Sequence, residues 1–139
     1  MNTSVFYATA TGNSRKIAEA IGSKLKVKSH NIMESPSQYT TDTLVIVGGI
    51  YFGKNKKELK NFVNSLNPVT VKRAVVVTTS GAGQSRTIPA EIVDLLESKN
   101  ITVLGELGVR GKALIFPTGH PSEADLKAAA EWVVNTIKG

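Results

Sequence analysis

The sequence predicts an α/β fold in which a doubly wound, five-stranded parallel sheet forms a single domain over residues 1–139. Short apolar runs alternate along the chain with segments whose apolar residues recur at helical spacing. The central runs, 44–50 and 74–78, are apolar on both faces, as parallel strands covered by helices are. A length of 139 residues, 41% of them hydrophobic, is sufficient for one such core.

In the first half, the run 4–8 predicts a buried strand, and apolar residues at 17, 18, 21 and 25 predict the helix after it. Residues 26–32 predict an amphipathic second strand at an edge of the sheet. The polar stretch 35–42 contains Pro36 and predicts a connection. Residues 44–50 are the strongest strand signal.

In the second half, apolar residues at 59, 62, 63 and 66 predict a helix, 74–78 a buried strand, and 92, 93, 95 and 96 a further helix. Pro89 suits the first turn of that helix, and Asn100 lies beyond its end. Residues 101–104 open a fifth strand that Gly105, Gly108 and Gly111 should weaken. A last helix begins near Ser122, and Trp132 lies off its apolar stripe. The stripe comprises Leu126, Ala129, Ala130, Val133, Val134 and Ile137.

Composition excludes several classes of protein. No apolar run approaches the ~20 residues that span a bilayer, and the first residues pass directly into a strand without the pattern of a signal peptide. The chain contains no cysteine, so it has neither a disulfide framework nor a thiolate metal site. Together these features predict a cytoplasmic protein without membrane association. The net charge of +6 suggests nucleic acid as a partner. However, no basic segment is interleaved with aromatic residues, so we expect no binding of nucleic acid.

The segment Thr9-Ala10-Thr11-Gly12-Asn13-Ser14 connects the first predicted strand to the first predicted helix. A turn at this point exposes free backbone N–H groups beside the positive end of the helix dipole, where phosphates bind. Hydroxyl and amide side chains add donors, and the glycine permits close approach of the backbone. The segment therefore predicts a phosphate site.

A second loop follows Gly48-Gly49 and carries Tyr51, Phe52 and Gly53. Aromatic rings at the carboxyl end of a strand face water unless something covers them. One interpretation is that Phe52 packs beneath the following helix. The other is that a ring stacks on a flat aromatic ligand whose phosphate occupies the first loop. Gly53 would allow a backbone carbonyl to turn toward that ligand.

A third loop, 79–84, follows the fourth predicted strand. Its small and hydroxyl-bearing residues can pass close to a planar ring and offer backbone N–H groups. They are Thr79, Ser80, Gly81, Ala82 and Gly83. Ligands of open α/β sheets bind beyond the carboxyl ends of the strands, where the strand order reverses. The three loops therefore predict one shared site.

With these loops the chain resembles the flavodoxin family over nearly its whole length. The first loop is similar to that family's phosphate loop, Thr/Ser-x-Thr-Gly-Asn-Thr/Ser, and the second and third loops fall where the family holds the two sides of FMN. The stretches 105–112 and 119–126 resemble short flavodoxin-family proteins of anaerobic bacteria. The resemblance implies the strand order 2-1-3-4-5 and FMN as cofactor.

The resemblance also implies a role for each loop. Thr9, Thr11, Asn13 and Ser14 would bind the FMN phosphate, with Ala10 and Gly12 giving backbone contacts. Tyr51 and Phe52 would flank the flavin ring, and Gly53 would present its carbonyl to the flavin N5. Residues Thr79 to Gly83 would line the other side of the ring.

The function that this resemblance implies is electron transfer to or from a redox protein by a monomer. An FMN-dependent reductase is the alternative, using NAD(P)H or passing electrons to a small acceptor such as a quinone or pigment. A third possibility is a binding module of the same fold that has lost FMN. We expect no catalytic side chain, because the chemistry belongs to the flavin.

The chain departs from the family in its charge and in its third loop. Electron carriers of the family are usually acidic, whereas this chain is basic, and its third loop lacks the tyrosine and acidic residues common there. Lys54, Lys56, Lys57 and Lys60 follow the second loop, and Arg86 follows the third. This basic rim predicts an acidic partner and a less negative potential for the reduced, anionic flavin. The lysine run also fits the solvated face of an amphipathic helix.

The other side chains that could take part in catalysis or metal binding are not expected to form a site. His30 and His120 are isolated and are expected to be structural or solvated. No metal site is expected, because carboxylates and histidines are not clustered. No hydrolase is expected either, because the chain lacks a Gly-x-Ser-x-Gly elbow.

Overall fold

The computed structural model describes residues 3–8, 13–32, 41–49, 61–66, 71–80, 87–110 and 123–138. They contain five strands: β1 Thr3–Ala8, β2 Ser29–Asn31, β3 Thr41–Gly49, β4 Val71–Ser80 and β5 Thr102–Arg110. Three helices have both ends in the described ranges: α1 Asn13–Leu25, α2 Thr87–Ser98 and α3 Glu123–Lys138. Residues 61–64 are helical as well. None of the helices in these ranges has the length and hydropathy to cross a bilayer.

The five strands form one sheet in the order β2-β1-β3-β4-β5, and every neighbouring pair is parallel. This confirms the predicted fold class and strand order. The order reverses between β1 and β3: the chain first moves outward from β1 to β2, and then returns past β1 to build β3, β4 and β5. This reversal is the topological switch point of a doubly wound sheet.

Helices cover both faces of the sheet, and each face has its own apolar core. One core joins Phe6, Ile46 and Val76 to residues 61–66 and to α2. The other joins Val5, Val45 and Val75 to α1 and α3. Because successive strand residues point to opposite faces, the apolar runs of β1, β3 and β4 supply both cores. The two-faced apolar pattern of 44–50 and 74–78 is explained by this arrangement.

The bounds of β2 and β3 differ from those predicted from the sequence. β2 has three residues rather than the predicted 26–32, because the chain first closes a capping turn at the end of α1. β3 begins at Thr41, so Thr41 and Asp42 are strand residues rather than part of the predicted connection. Thr41 is buried, and its hydroxyl donates to the carbonyl oxygen of Thr43 at 3.0 Å, which offsets the cost of burying it.

Both α1 and α2 end in the same turn. After α1, the N–H of Val27 donates to the carbonyl of Gly22 at 2.9 Å and the N–H of Lys26 to Ser23 at 3.3 Å. Lys26 has a left-handed backbone, with φ of 62°. This pair of hydrogen bonds is the Schellman motif, in which carbonyl groups of the last helical turn gain hydrogen-bond donors.

After α2, the N–H of Ile101 donates to Leu96 and that of Asn100 to Glu97, both at 3.0 Å. Asn100 has φ of 64° and occupies the position equivalent to Lys26. The predicted place of Asn100 beyond the helix end is confirmed.

β5 runs to Arg110, past Gly105 and Gly108, and is therefore longer than its glycines suggested. Its pairing with β4 contains an irregularity: Ala74 pairs with Val103 but the next residue, Val75, pairs with Gly105. Leu104 is thus an extra residue, as in a β-bulge. In a regular strand Leu104 and Leu107, three positions apart, would point to opposite faces of the sheet. The bulge allows both to pack against the core on the α3 side.

Candidate functional site

The predicted site lies at the carboxyl edge of the sheet. β1 ends at Ala8, β3 at Gly49 and β4 at Ser80, and the three predicted loops follow these ends. The strands are adjacent: Ala8 pairs with Gly48, and Gly49 pairs with Thr79. Neighbouring strands lie about 4.8 Å apart. The topology therefore places the ends of these three strands side by side at one edge of the sheet.

Most of the predicted site residues lie outside the described residues. These are Thr9, Ala10, Thr11, Gly12, Tyr51, Phe52, Gly53, Gly81, Ala82 and Gly83. The other four lie in regular structure instead of in loops. Asn13 and Ser14 are the first residues of α1, and Thr79 and Ser80 are the last residues of β4. The corresponding predicted loops are shortened accordingly.

The residues across the sheet become small at this edge. Tyr7, Val47, Val77 and Leu107 pair in register across four strands and form a bulky row. One residue further on, the row is Ala8, Gly48, Thr78 and Gly108. Sequence reasoning noted the Gly48-Gly49 pair but did not identify Ala8, Thr78 or Gly108 as members of a row. The signal was present in each strand, since a small residue follows directly after the last bulky one.

α1 begins beside the switch point. It starts at Asn13, five positions after the end of β1, so residues 9–12 alone connect the two. Its first turn contains no acidic residue. Acidic side chains normally stabilise a helix N-terminus and cations do not. This end of α1 is therefore electropositive, through its dipole and through Arg15 and Lys16.

Arg15 and Glu19 form the ion pair nearest to that end of α1 within the described ranges. Arg15 Nε lies 3.6 Å from Glu19 Oε1, and the two side chains are 62% and 55% exposed. A pair so exposed is screened by water and contributes little to stability. Glu19 lies six residues beyond the start of the helix, between one and two turns along it, where the positive field of the dipole has weakened.

These features fit a ligand that is anionic at one end and flat at the other. α1 begins at Asn13, and the N–H groups and positive field of a helix N-terminus fit a phosphate. The row at the carboxyl ends of β1, β3 and β4 consists of small residues, which suits a planar group. The described residues hold no cluster of three or more metal-binding side chains.

Comparison with known proteins agrees with the fold described above. The model of the flavodoxin domain matches residues 4–111. An uncharacterized protein of Methanocaldococcus jannaschii is 32% identical over 137 residues, which cover 91% of each chain.

Two solved structures show the same fold. A flavodoxin from the domain Archaea has a TM-score of 0.76 at 16% identity, covering 99% of this chain and 97% of that one. Oxidised Flavodoxin 2 from Bacillus cereus has a TM-score of 0.73 at 13% identity, covering 99% of both chains. The family match includes the five strands except Thr3, and both ends of the predicted phosphate segment. This chain belongs to the flavodoxin domain family.

Proposed function

We propose that this protein binds FMN at the carboxyl edge of its sheet and transfers electrons to or from a redox protein. The observation that carries the proposal is the start of α1, which places an acid-free helix N-terminus at the switch point, next to the small row. When bound, FMN supplies the electron chemistry, and the protein supplies binding, orientation and the surrounding field.

Each loop has a separate role in this proposal. Thr9, Thr11, Asn13 and Ser14 donate to the phosphate, together with the backbone of Ala10 and Gly12. Tyr51 and Phe52 flank the flavin ring, and Gly53 presents its carbonyl to one edge of it. The stretch from Thr79 to Gly83 lines the opposite side. The first two residues of that stretch, Thr79 and Ser80, end β4 in register with Val109 and Arg110 of β5.

The partner in this proposal is a redox protein with an acidic docking surface. Lys54, Lys56, Lys57 and Lys60 follow the second loop, and opposite charges on a partner would steer it to the flavin. Such steering raises the association rate and falls steeply with added salt.

Flavin titrations of the apoprotein test the cofactor. Thr11→Val removes one predicted phosphate donor, and hydrogen bonds to charged groups are worth about 1.5–3 kcal/mol. FMN should bind about 10- to 100-fold more weakly to Thr11→Val, whereas riboflavin, which lacks the phosphate, should bind unchanged. Ser23→Ala, in the last part of α1, is the matched control and should affect neither ligand. Equal affinity of the unmodified chain for FMN and riboflavin would contradict a phosphate site.

Rapid mixing with NADPH separates a carrier from a reductase. A carrier that receives electrons from a protein has no need for a nicotinamide site, so the bound flavin should be reduced slowly or not at all. Fast bleaching of the flavin absorbance by NADPH would favour the alternative, an FMN-dependent reductase.

A further inference from the structure

Much of the net positive charge of the chain lies in α1 and in the short connection from α1 to β2. Residues 13–32 contain five cations and one carboxylate, Glu19, and so carry four of the six net positive charges of the chain. The cations are Arg15, Lys16, Lys24, Lys26 and Lys28, and together we name them the α1–β2 basic surface. This surface is distinct from the lysine run after the second loop.

All five side chains are exposed. Arg15 pairs with Glu19 at 3.6 Å. The four lysines form no ion pair with any carboxylate in the described ranges. No described carboxylate therefore neutralises these four charges, and their fields add within a screening distance of about 8–10 Å.

Three of these cations occupy positions that the local structure disfavours. Arg15 and Lys16 lie near the N-terminus of α1, where the helix dipole repels cations. Lys26 has φ of 62°, a conformation that suits glycine or asparagine. In the equivalent turn after α2 the chain has the expected residue, Asn100. These local costs are offset only in part, by the attraction of Lys26 to the helix C-terminus and by the exposed Arg15–Glu19 pair, and this favours a role in binding.

The cations border an edge of the sheet on both of its faces. β2 is the outermost strand on its side. α1 covers one face beside it. A Cβ on Gly22 of α1 would lie 2.6 Å from the carbonyl oxygen of Val27, two residues before β2. On the other face the exposed ring of His30 packs against Phe6, with centroids 5.5 Å apart. Lys28 shares that face, two residues before His30.

We infer that the α1–β2 basic surface is a docking site for an acidic protein segment that lies along the β2 edge. A segment in this position would have cations on both sides, from α1 on one face and from Lys28 on the other. Nucleic acid fits less well, because the only arginine of the surface is paired with Glu19 and the ring of His30 is packed against Phe6.

The inference goes beyond the proposed electron transfer and does not depend on the flavin. α1 has 13 residues and is therefore about 20 Å long. Its first turn lies at the carboxyl edge of the sheet, and Lys24 and Lys26 lie at the far end. A segment bound across Lys24, Lys26 and Lys28 contacts a different end of the molecule from the proposed cofactor site.

Binding of a labelled glutamate-rich peptide of about 20 residues to the whole chain, with its flavin as purified, tests the inference. One triple variant, Lys24→Gln/Lys26→Gly/Lys28→Gln, removes three charges from the end of the surface that lies away from the proposed cofactor site. A matched triple variant, Lys72→Gln/Lys127→Gln/Lys138→Gln, removes three exposed lysines elsewhere and leaves the same net charge. The first triple should weaken peptide binding about tenfold at low salt, and the matched triple by less than about twofold.

Three results would overturn the inference. Equal losses in the two triples would mean that only net charge matters. Tighter binding of single-stranded DNA than of the peptide, lost in the first triple alone, would assign the surface to nucleic acid. Self-association of the first triple with unchanged peptide binding would assign the lysines to protection of a sheet edge. Flavin absorbance, read in the same samples, should be equal in all proteins and reports separately on the cofactor proposal.

Discussion

The indole ring of Trp132 in α3 lies directly over Gly105 in β5. A Cβ built on Gly105 would come within 3.1 Å of Cη2 and 3.2 Å of Cζ2 of Trp132, and within 3.2 Å of Cγ2 of Thr136. The bulge at Leu104 adjoins this contact. The glycine that seemed to weaken the strand therefore provides the place where the only tryptophan of the chain packs.

Gly105→Val should destabilise the protein by about 1–3 kcal/mol, although valine is the better strand residue, because the added side chain meets Trp132 and Thr136. Thr102→Val on the exposed part of the same strand is the control and should change the free energy of unfolding by less than about 0.5 kcal/mol. Urea denaturation followed by circular dichroism gives both values. If Gly105→Val cost the same with and without Trp132→Ala, the ring would not be the cause.

Gly22→Ala should destabilise the protein by about 2–3 kcal/mol, even though alanine is the better helix former by about 1 kcal/mol. The new Cβ would lie 2.6 Å from the carbonyl oxygen of Val27, which is backbone and cannot rotate away. Ser23→Ala, at the next and exposed position, should be nearly neutral. Thermal or urea unfolding measures the pair. A neutral Gly22→Ala would mean that α1 and the segment before β2 can separate without cost.

Lys26→Gly should stabilise the protein by about 1 kcal/mol, because the left-handed backbone at φ of 62° strains a lysine and not a glycine. The gain is partly offset by the greater freedom of glycine in the unfolded chain and by the lost attraction of a cation to the helix C-terminus. Asn100→Gly should gain less, since asparagine tolerates this conformation. Urea midpoints of the two variants give the comparison. A larger gain at Asn100 would contradict the strain at Lys26.

The proposed FMN site also makes a prediction about redox potential. Cations beside the flavin stabilise its reduced anion, so the second one-electron couple should be less negative than in acidic members of the family. Lys54→Gln/Lys56→Gln/Lys57→Gln should make that potential more negative by about tens of millivolts. The triple Lys72→Gln/Lys127→Gln/Lys138→Gln should shift it less. Equal shifts, or a strongly negative couple in the unmodified chain, would contradict a basic rim at the flavin.

Much of the fold could be predicted from the sequence because its strands carry apolar residues on both faces. This pattern in 44–50 and 74–78 predicted the doubly covered parallel sheet, and Asn100 predicted the end of α2. The remaining strand ends could not be predicted, because they contain polar or small residues. Thr41 is buried with its own hydrogen bond to Thr43, and Gly105 is retained for a contact with α3, neither of which a local pattern shows.

The strand ends at which the site is proposed could be predicted from the sequence, but the boundaries of the loops could be predicted less well. Asn13 and Ser14 belong to α1, and Thr79 and Ser80 to β4, because helix and strand hydrogen bonding continues to the edge of the site. The register that aligns Ala8, Gly48, Thr78 and Gly108 depends on pairing between distant strands. That pairing is a property of the tertiary structure, so a row of this kind can be identified only from the folded structure.

The central position of β1 also affects how the chain reaches its native state. β1 pairs with β2 between residues 5 and 29, which are 24 positions apart, and with β3 between residues 3 and 43, which are 40 apart. The other two pairs join residues about 30 positions apart, so no contact of the sheet is a local hairpin. Loop closure must precede each pairing, and mixed α/β domains of this kind fold more slowly than helical bundles. Helices α1 and α2, with their complete capping turns, are the elements that can form before the sheet does.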